Sequence, residues 1–357
     1  MPGVTRESGL PTVVQRERKL KRCGYPRNER SMTTAQEAFR RARIISARHM
    51  AAAEAAKLPW GETAITEMLI AHAATAVTVV PFTQKAEALS GADWVWWWVD
   101  GSAAYGMLVQ AKRLTVTRKG WTFKFDYRTE GSTRLQREIL VEAASALGVL
   151  PVHALYLGTG DYRKWAPCPG KHRKSRCPEC MRRTVSLMPA LLATDSMVDD
   201  AVSTYRWSVA LEDLWKPPST GALLVPTLER AMSPDLLKFL KERPDGTRAV
   251  VRSMVDRVLR ARAAQYSIAT TAEPPTAATH DDLGLVFQNL PDDTMHGGVR
   301  YLDHVLNPLR HSPPDYVLDA MTGDPDLESL RTRLPETVDG IVVVQTPNNG
   351  DDESRAP

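Results

Sequence analysis

An acid, an amide and an amine stand at the ends of two apolar runs that lie close together in the sequence. Asp93 opens the first run, and Gln110 and Lys112 close the second. Between them comes Asp100-Gly101-Ser102, and an Asp-Gly turn between strand-like segments predicts a β-hairpin. Strand alternation puts Gln110 and Lys112 on one face, where burying them without partners costs several kcal/mol. The pattern therefore predicts an acidic group, Asp93, or a bound ion beside them.

This pattern resembles a known nuclease superfamily. Two sequence motifs are similar to the core of the PD-(D/E)XK, or restriction-endonuclease-like, nucleases. They are Gly91-Ala92-Asp93-Trp94 and, after it, Val109-Gln110-Ala111-Lys112-Arg113. In that core an Asp begins the second strand and an acidic-x-Lys motif ends the third. Here Gln110 holds the acidic position, as in the Gln-x-Lys variant of the Mrr-like branch. The resemblance extends over about residues 55 to 195, and an uncharacterised bacterial family placed in that fold shares it.

The resemblance implies a Mg²⁺ site that hydrolyses phosphodiester bonds. Asp93 would supply a carboxylate, Gln110 its side-chain carbonyl and Ala111 a backbone carbonyl, and these are oxygen ligands of the kind that Mg²⁺ prefers. Lys112 would hold or polarise the attacking water and stabilise charge on the phosphoryl oxygens. Because Gln110 replaces a carboxylate, the expected metal affinity is lower than with an acid at this position.

The first helix of that family often adds a glutamate to the metal site. Glu62 and Glu67 are the two acids of the corresponding segment, and a spacing of five residues puts them on different helix faces. Glu62 is favoured as the ligand, and an ordinary glutamate in the first helical turn is the alternative.

The expected fold class is α/β, with a restriction-endonuclease-like core in which helices flank a mixed central sheet. Helix, three strands, helix and strand is the minimal order of that core, and the same order is predicted here. Trp94, Trp96 and Trp98 share one strand face, which is typical of core residues. Helices are expected at 34–57, from residue 62 and at 133–147, and strands at 76–82, in the hairpin, at 121–127, at 152–157 and at 185–193.

Four potential metal ligands follow that core within 13 residues. Their C-x3-H-x4-C-x2-C spacing suits a closed tetrahedral Zn²⁺ site, which we expect to be structural. The surrounding stretch from Arg163 to Arg183 contains eight Lys and Arg residues against one Glu. The predicted zinc ligands are Cys168, His172, Cys177 and Cys180.

Several basic and amide groups are candidates for contact with a nucleic-acid backbone. Arg134 and Gln136 fall in the first turn of a predicted helix, where a phosphate could bind, and plain solvation is the alternative. The zinc loop could follow a phosphate backbone in the same way. The candidates are Arg113, Arg134, Gln136, Lys171, Arg173, Lys174 and Arg176.

Composition limits the remaining choices. The chain has 357 residues, 43% of them hydrophobic, and a net charge of +4, which is ordinary for a globular protein. We expect no membrane span and no secretory signal, and the cysteine usage favours the cytoplasm. The expected divisions are a basic arm at 1–30, a nuclease-like domain at 31–195 with its zinc loop at 161–183, a helical region at 196–266, a linker at 267–300, an α/β segment at 301–346 and an acidic tail at 347–357.

The function favoured by these residues is a metal-dependent endonuclease that acts on double-stranded DNA, with bacterial defence against foreign DNA as one setting. A homodimer is left open. One alternative is a non-catalytic member of the fold, which binds nucleic acid in a salt-dependent way without cleaving it. The other is a zinc-stabilised interaction protein in which Asp93 and Lys112 meet unrelated partners.

Overall fold

A computed structural model describes most of the chain from residue 34 onward. The side chains at positions 34, 93, 116, 117, 120, 121 and 261–272 are not described. The described residues are 34–82, 93–117, 120–125, 134–158, 177–193, 204, 207–217, 234–272, 305–322, 325–335 and 338–346.

The described part of the chain contains both strands and helices. The strands are β1 (Thr78–Pro81), β2 (Asp93–Val99), β3 (Ala104–Arg113), β4 (Thr115–Thr117), β5 (Gly120–Thr122), β6 (Leu150–Tyr156), β7 (Val185–Pro189), β8 (Val209–Ala210), β9 (Leu309–Arg310) and β10 (Val338–Gln345). The helices are α1 (Thr34–Ala55), α2 (Glu62–Ala73), α3 (Gln136–Leu147), α4 (Pro178–Arg182), α5 (Pro234–Lys241), α6 (Gly246–Ala272), α7 (Asp315–Met321) and α8 (Leu327–Thr332).

Eight of the described strands form one mixed sheet in the order β1-β10-β2-β3-β6-β7-β8, with β9 paired to β3. Strands β2 and β3 are the antiparallel hairpin, whereas β6 is parallel to β3 and β10 is parallel to β2. Helix α3 provides the crossover from β3 to β6, since a parallel pair needs a long connection. Strands β4 and β5 form a separate two-stranded ribbon.

The predicted α/β class with a mixed sheet flanked by helices is confirmed. The helices expected near residues 34, 62 and 133 form as α1, α2 and α3, and the strands expected near 76, 152 and 185 form as β1, β6 and β7. The Asp-Gly turn joins β2 to β3 as predicted. Helix α3 ends at Gly148, whose φ of +62° is the left-handed conformation that glycine adopts most readily.

Other predictions differ from the structure. The helical region expected at 196–266 is wrong at residues 209–213, where Val209 and Ala210 form β8 against Ser186 and Leu187 and a 3₁₀ turn follows at Leu211–Asp213. The edge of β7 offers backbone hydrogen bonds there. Helix α6 continues to Ala272, beyond the start of the linker expected at residue 267. Strand β10 lies between β1 and β2, where a simple meander would have paired those two strands directly.

The sheet is buried on both faces. On the first face Trp94, Trp96 and Trp98 belong to one core cluster, as predicted, and Phe39 of α1 stacks on Trp96 with ring centroids 5.6 Å apart. On the opposite face Trp97 donates a hydrogen bond of 3.1 Å from its indole nitrogen to the hydroxyl of Tyr316 in α7. Among the described helices, none is long and apolar enough to cross a membrane.

Asp100 fixes the hairpin turn and also connects it to α6. Its Oδ1 accepts hydrogen bonds of 2.8 Å from the backbone amides of Ser102 and Ala103, and its Oδ2 accepts one of 2.8 Å from the amide of Thr247. Burial alone would raise the pKa of Asp100, but the hydrogen bonds from Thr247 and Ser102 more than offset it, so the pKa is lowered. The charged form is therefore stabilised by folding.

Replacing Asp100 with alanine should lower the free energy of unfolding by about 2 kcal/mol at pH 7, since the turn and the first turn of α6 lose their acceptor. A group whose folded pKa is depressed stabilises the protein above its unfolded pKa and loses that effect as the pH falls through the folded value. Urea unfolding at pH 7 and near pH 3 measures this. If the free energies of unfolding of wild type and Asp100→Ala differ by the same amount at both pH values, the charge of Asp100 has no role in stability.

Candidate functional site

The end of β3 carries two polar side chains that are buried in the sheet. Gln110 is 3% exposed and Lys112 is 5% exposed, whereas Val109 and Ala111 belong to the core cluster of the opposite face. The predicted alternation is therefore confirmed. Burial follows from the position of β3, which has β2 on one side and β6 on the other and helices above both faces.

Three positions on three adjacent strands form one row, which we call the polar row. Asp93 of β2 is paired with Gln110 of β3, and Gln110 is paired with His153 of β6. Directly opposite residues of paired strands share a face of the sheet. Two of the predicted site residues thus occupy neighbouring positions. The structure describes only the backbone of Asp93, so it establishes this register for Asp93.

Lys112 is held by a side chain of α3. Its Nζ donates a hydrogen bond of 2.6 Å to Oε1 of Gln136, the first residue of that helix, which is itself buried. The helix begins there because the carboxylate of Glu138 accepts the backbone amide of Leu135, leaving Gln136 and its neighbour Arg137 in the first turn. The structure thus places Gln136 against Lys112, where sequence analysis had considered a phosphate contact.

His153 is completely buried in the polar row. Among the described residues, neither of its ring nitrogens has a hydrogen-bond partner, and the ring of Phe125 packs on it with centroids 4.8 Å apart. Burial lowers the pKa of His153 well below its usual value, and the positive charges of Lys112 and Arg137 lower it further. The imidazole is therefore neutral at physiological pH.

The side-chain oxygen of Gln110 also lacks a hydrogen-bond partner among the described residues. This atom, Oε1, is buried. A buried acceptor or donor left without a partner costs about 1–3 kcal/mol. The polar row therefore contains an oxygen and an imidazole that favour an additional bound group.

The two candidate glutamates lie in different places. Oε1 of Glu62 accepts a hydrogen bond of 2.7 Å from the backbone amide of Arg113, so Glu62 reaches the end of β3 beside Lys112. Glu67 instead lines a cavity of about 310 Å³ that also contains Trp94 and Asp339. Of the two, the structure brings Glu62 to the strand end that carries Gln110 and Lys112.

Asp339 was not singled out by sequence analysis. It lies at the β-bulge between Val338 and Gly340, where the pairing of β10 with β2 shifts register beside Asp93. Burial raises the pKa of Asp339, Arg331 lowers it and the charge of Glu67 raises it. The Asp339 position next to Asp93 follows from the strand order, which the sequence did not indicate.

The basic candidates fall into two groups. Arg113 donates from its guanidinium to the carbonyl of Trp60 and lies over that indole ring at 5.7 Å, while the exposed Arg134 pairs with Glu142. Neither contact excludes binding of a phosphate, and their predicted role stays a prediction. Outside the described residues lie Lys171, Arg173, Lys174 and Arg176.

The predicted zinc site is described in part. Cys177 and Cys180 are buried at the start of α4, and Cys168 and His172 lie outside the described residues. Within the described part of the chain, no group of three or more His, Cys, Asp or Glu side chains is arranged to hold a metal ion. Zinc binding therefore stays a prediction.

Purified protein should contain about one zinc ion per chain if all four ligands close the site. Replacing Cys177 and Cys180 with serine should remove the zinc and lower the unfolding temperature, because a structural zinc contributes directly to folding. Elemental analysis and thermal unfolding measure both effects, with Cys23→Ser as the matched control. Zinc content that is unchanged in the double variant would contradict the ligand assignment.

The fold and the site define an α/β protein in which buried polar groups gather at the end of a central strand. The chain belongs to DUF6615, a family of unknown function, whose model matches residues 35–349. The match spans the whole sheet, from β1 to β10. None of the curated proteins and none of the solved structures compared with the chain matches it.

Proposed function

We propose that this protein is a metal-dependent nuclease that hydrolyses phosphodiester bonds in DNA, as its resemblance to the PD-(D/E)XK superfamily implies. The observation that carries the proposal is the register in which Asp93 stands opposite Gln110, with Lys112 two residues further along β3 on the same face. The parallel pairing of β3 with β6 through α3 supports it, since the resemblance implies that arrangement of elements.

In this proposal the residues at the end of β3 would hold a divalent cation. Gln110 presents a buried oxygen without a described partner, and Asp93 stands opposite it in the register. The resemblance adds the carbonyl of Ala111 and the carboxylate of Glu62, and together these groups would make an oxygen-rich ligand set of the kind that Mg²⁺ prefers. Such a cation would offset the negative charge of the phosphodiester and lower the pKa of a bound water.

The chain's own groups would position the reactants. Lys112, fixed by Gln136, would hold the attacking water and stabilise negative charge on the phosphoryl oxygens. Glu62 would orient the end of β3 through its hydrogen bond to the amide of Arg113. The exposed guanidinium of Arg134 would contact the DNA backbone and contribute affinity that falls with salt.

A non-catalytic nucleic-acid-binding protein is the second candidate. It is favoured by Gln110, which lacks the charge of the acid in the main motif, and by the burial of Lys112 against Gln136. This candidate would bind DNA with a strong salt dependence and leave it intact in every divalent metal.

Cleavage of a supercoiled plasmid tests the proposal directly. Wild-type protein should nick the plasmid in Mg²⁺, and the nicking should stop when EDTA is added. Asp93→Ala should lower the rate of nicking by about 100-fold or more, because a charged group at the reacting centre is lost. Asp235→Ala, which removes an exposed acid from the first turn of α5, is the matched control and should keep wild-type activity. Equal rates in wild type, Asp93→Ala and the EDTA sample would remove the nuclease assignment.

A further inference from the structure

His153 is a buried group that neither the resemblance nor the proposed reaction uses. It stands at the end of the polar row, directly beside Gln110 across the parallel pairing of β3 and β6. Oε1 of Gln110 and both ring nitrogens of His153 are buried without partners among the described residues. Three such atoms in two adjacent side chains are costly to leave unsatisfied, so they indicate a position that a further group occupies.

The chemistry of these atoms favours a cation over an anion. A carbonyl oxygen and an imidazole nitrogen both offer electron pairs, which suits a metal ion. The nearby charges of Lys112 and Arg137 oppose a cation, so a carboxylate is needed beside it. Asp93, the next position of the polar row, is placed by its register to supply that charge.

We infer that His153 is a nitrogen ligand of the divalent metal, in the same site as Asp93 and Gln110, and that the site prefers Mn²⁺ to Mg²⁺. This inference rests on the proposed metal site and specifies its ligand set. Mg²⁺ takes oxygen ligands, whereas first-row transition metals accept an imidazole nitrogen readily. The main motif has an acid where this chain has Gln110, so metal affinity is lower here. Coordination by the imidazole would restore part of that metal affinity.

Electron paramagnetic resonance of Mn²⁺ bound to the full-length protein tests the ligand without reference to activity. Wild type should bind Mn²⁺ about tenfold more tightly than Mg²⁺, and its spin-echo modulation should show coupling to one ¹⁴N nucleus. His153→Leu, which fills the buried space with an apolar group, should lose the ¹⁴N coupling and about tenfold in Mn²⁺ affinity, with little change for Mg²⁺. His72→Leu, at an exposed position of α2, is the matched control.

Two results would overturn the inference. One is bound Mn²⁺ in wild type with no nitrogen coupling, in which case an ordered water satisfies the polar row. The other is nitrogen coupling that persists in His153→Leu, or in His153→Asn if the leucine variant does not fold. The wild-type spectrum alone is decisive in the first case, so the test does not depend on the stability of a variant.

The outcome is separable from that of the plasmid assay. Metal-dependent cleavage by a protein whose Mn²⁺ shows no nitrogen coupling would keep the nuclease and reject His153 as a ligand. Nitrogen coupling that depends on His153, in a protein that cleaves nothing, would keep the ligand and reject the nuclease.

Discussion

Replacing Lys112 with methionine should lower the rate of plasmid cleavage about 100- to 1,000-fold while leaving the protein folded. Methionine keeps the length and apolar character of the lysine stem and removes the ammonium, so the charge that we propose stabilises the phosphoryl oxygens is lost. Lys112 is 5% exposed and donates to Gln136, so an apolar replacement fits the site without opening a large cavity. The measurement is the initial rate of nicking in Mg²⁺, with thermal unfolding of the same samples.

The matched control is Lys124→Met, which removes an exposed lysine from the segment after β5. It should keep the wild-type cleavage rate and weaken DNA binding slightly at most. A Lys112→Met protein that binds DNA normally but cleaves about 100-fold more slowly would separate catalysis from binding. Retention of more than half of the wild-type rate would contradict the role assigned to Lys112.

The largest expected effect on stability comes from a buried ion pair. Nε and Nη2 of Arg43 in α1 donate hydrogen bonds of 3.0 and 2.9 Å to Oε2 of Glu212, and both side chains are 6% exposed. Gln36 of the same helix also donates to the backbone carbonyl of Glu212. These contacts attach α1 to the 3₁₀ turn that follows the edge strand β8.

Arg43→Met should destabilise the protein by about 3–5 kcal/mol, because it leaves a carboxylate buried without its countercharge. The double variant Arg43→Met/Glu212→Leu should recover most of that loss, since neither charge remains. Urea unfolding of the four proteins in this cycle measures the effect. The exposed pair of Arg333 and Asp319, at 2.8 Å, provides the control, and Arg333→Met should cost no more than about 1 kcal/mol.

The pH dependence of the same variant is a second check. Burial raises the pKa of Glu212 more than the attraction of Arg43 lowers it. An acid whose folded pKa lies above its unfolded value loses stability as the pH rises through the interval between the two. Without Arg43 that pKa should rise further, so the destabilisation should be large at pH 7 and smaller below the ordinary value of 4.5. An effect that is equal at pH 4 and pH 7 would show that charge burial is not its cause.

Local patterns were sufficient to predict the hairpin and the relation between Asp93 and Gln110. The Asp-Gly turn fixes which residues of β2 and β3 face each other, and alternation then fixes the face that Gln110 and Lys112 share. In each case the decisive residues are close in sequence, so a short-range rule carries the information.

The remaining contacts of the site depend on pairings between distant segments. His153 meets Gln110 through the parallel pairing of β3 with β6, and no turn residue encodes the register of that pairing. Gln136 reaches Lys112 for the same reason. The sequence signal for His153 was a single polar residue inside the apolar run Val152 to Leu157, which is visible in retrospect and not specific in advance.

The position of strand β10 in the sheet also depends on pairings between distant segments. The strand falls within the α/β segment expected at 301–346, and nothing in its apolar sequence indicated that it would separate β1 from β2. Its neighbours lie more than 230 residues earlier in the chain, since Val343 is paired with Thr78 on one side and with Trp97 on the other. Only the completed sheet reveals that Asp339 stands next to Asp93.

The position of β10 has a consequence for how the protein is made. During synthesis β1 and β2 emerge from the ribosome early, and the strand that joins them follows only after most of the chain has been translated. Contacts this far apart form slowly because a long loop must close first. A chain interrupted before residue 338 would leave the amino-terminal part of the sheet open beside Asp93, so translation itself would delay completion of the sheet around the polar row until β10 is in place.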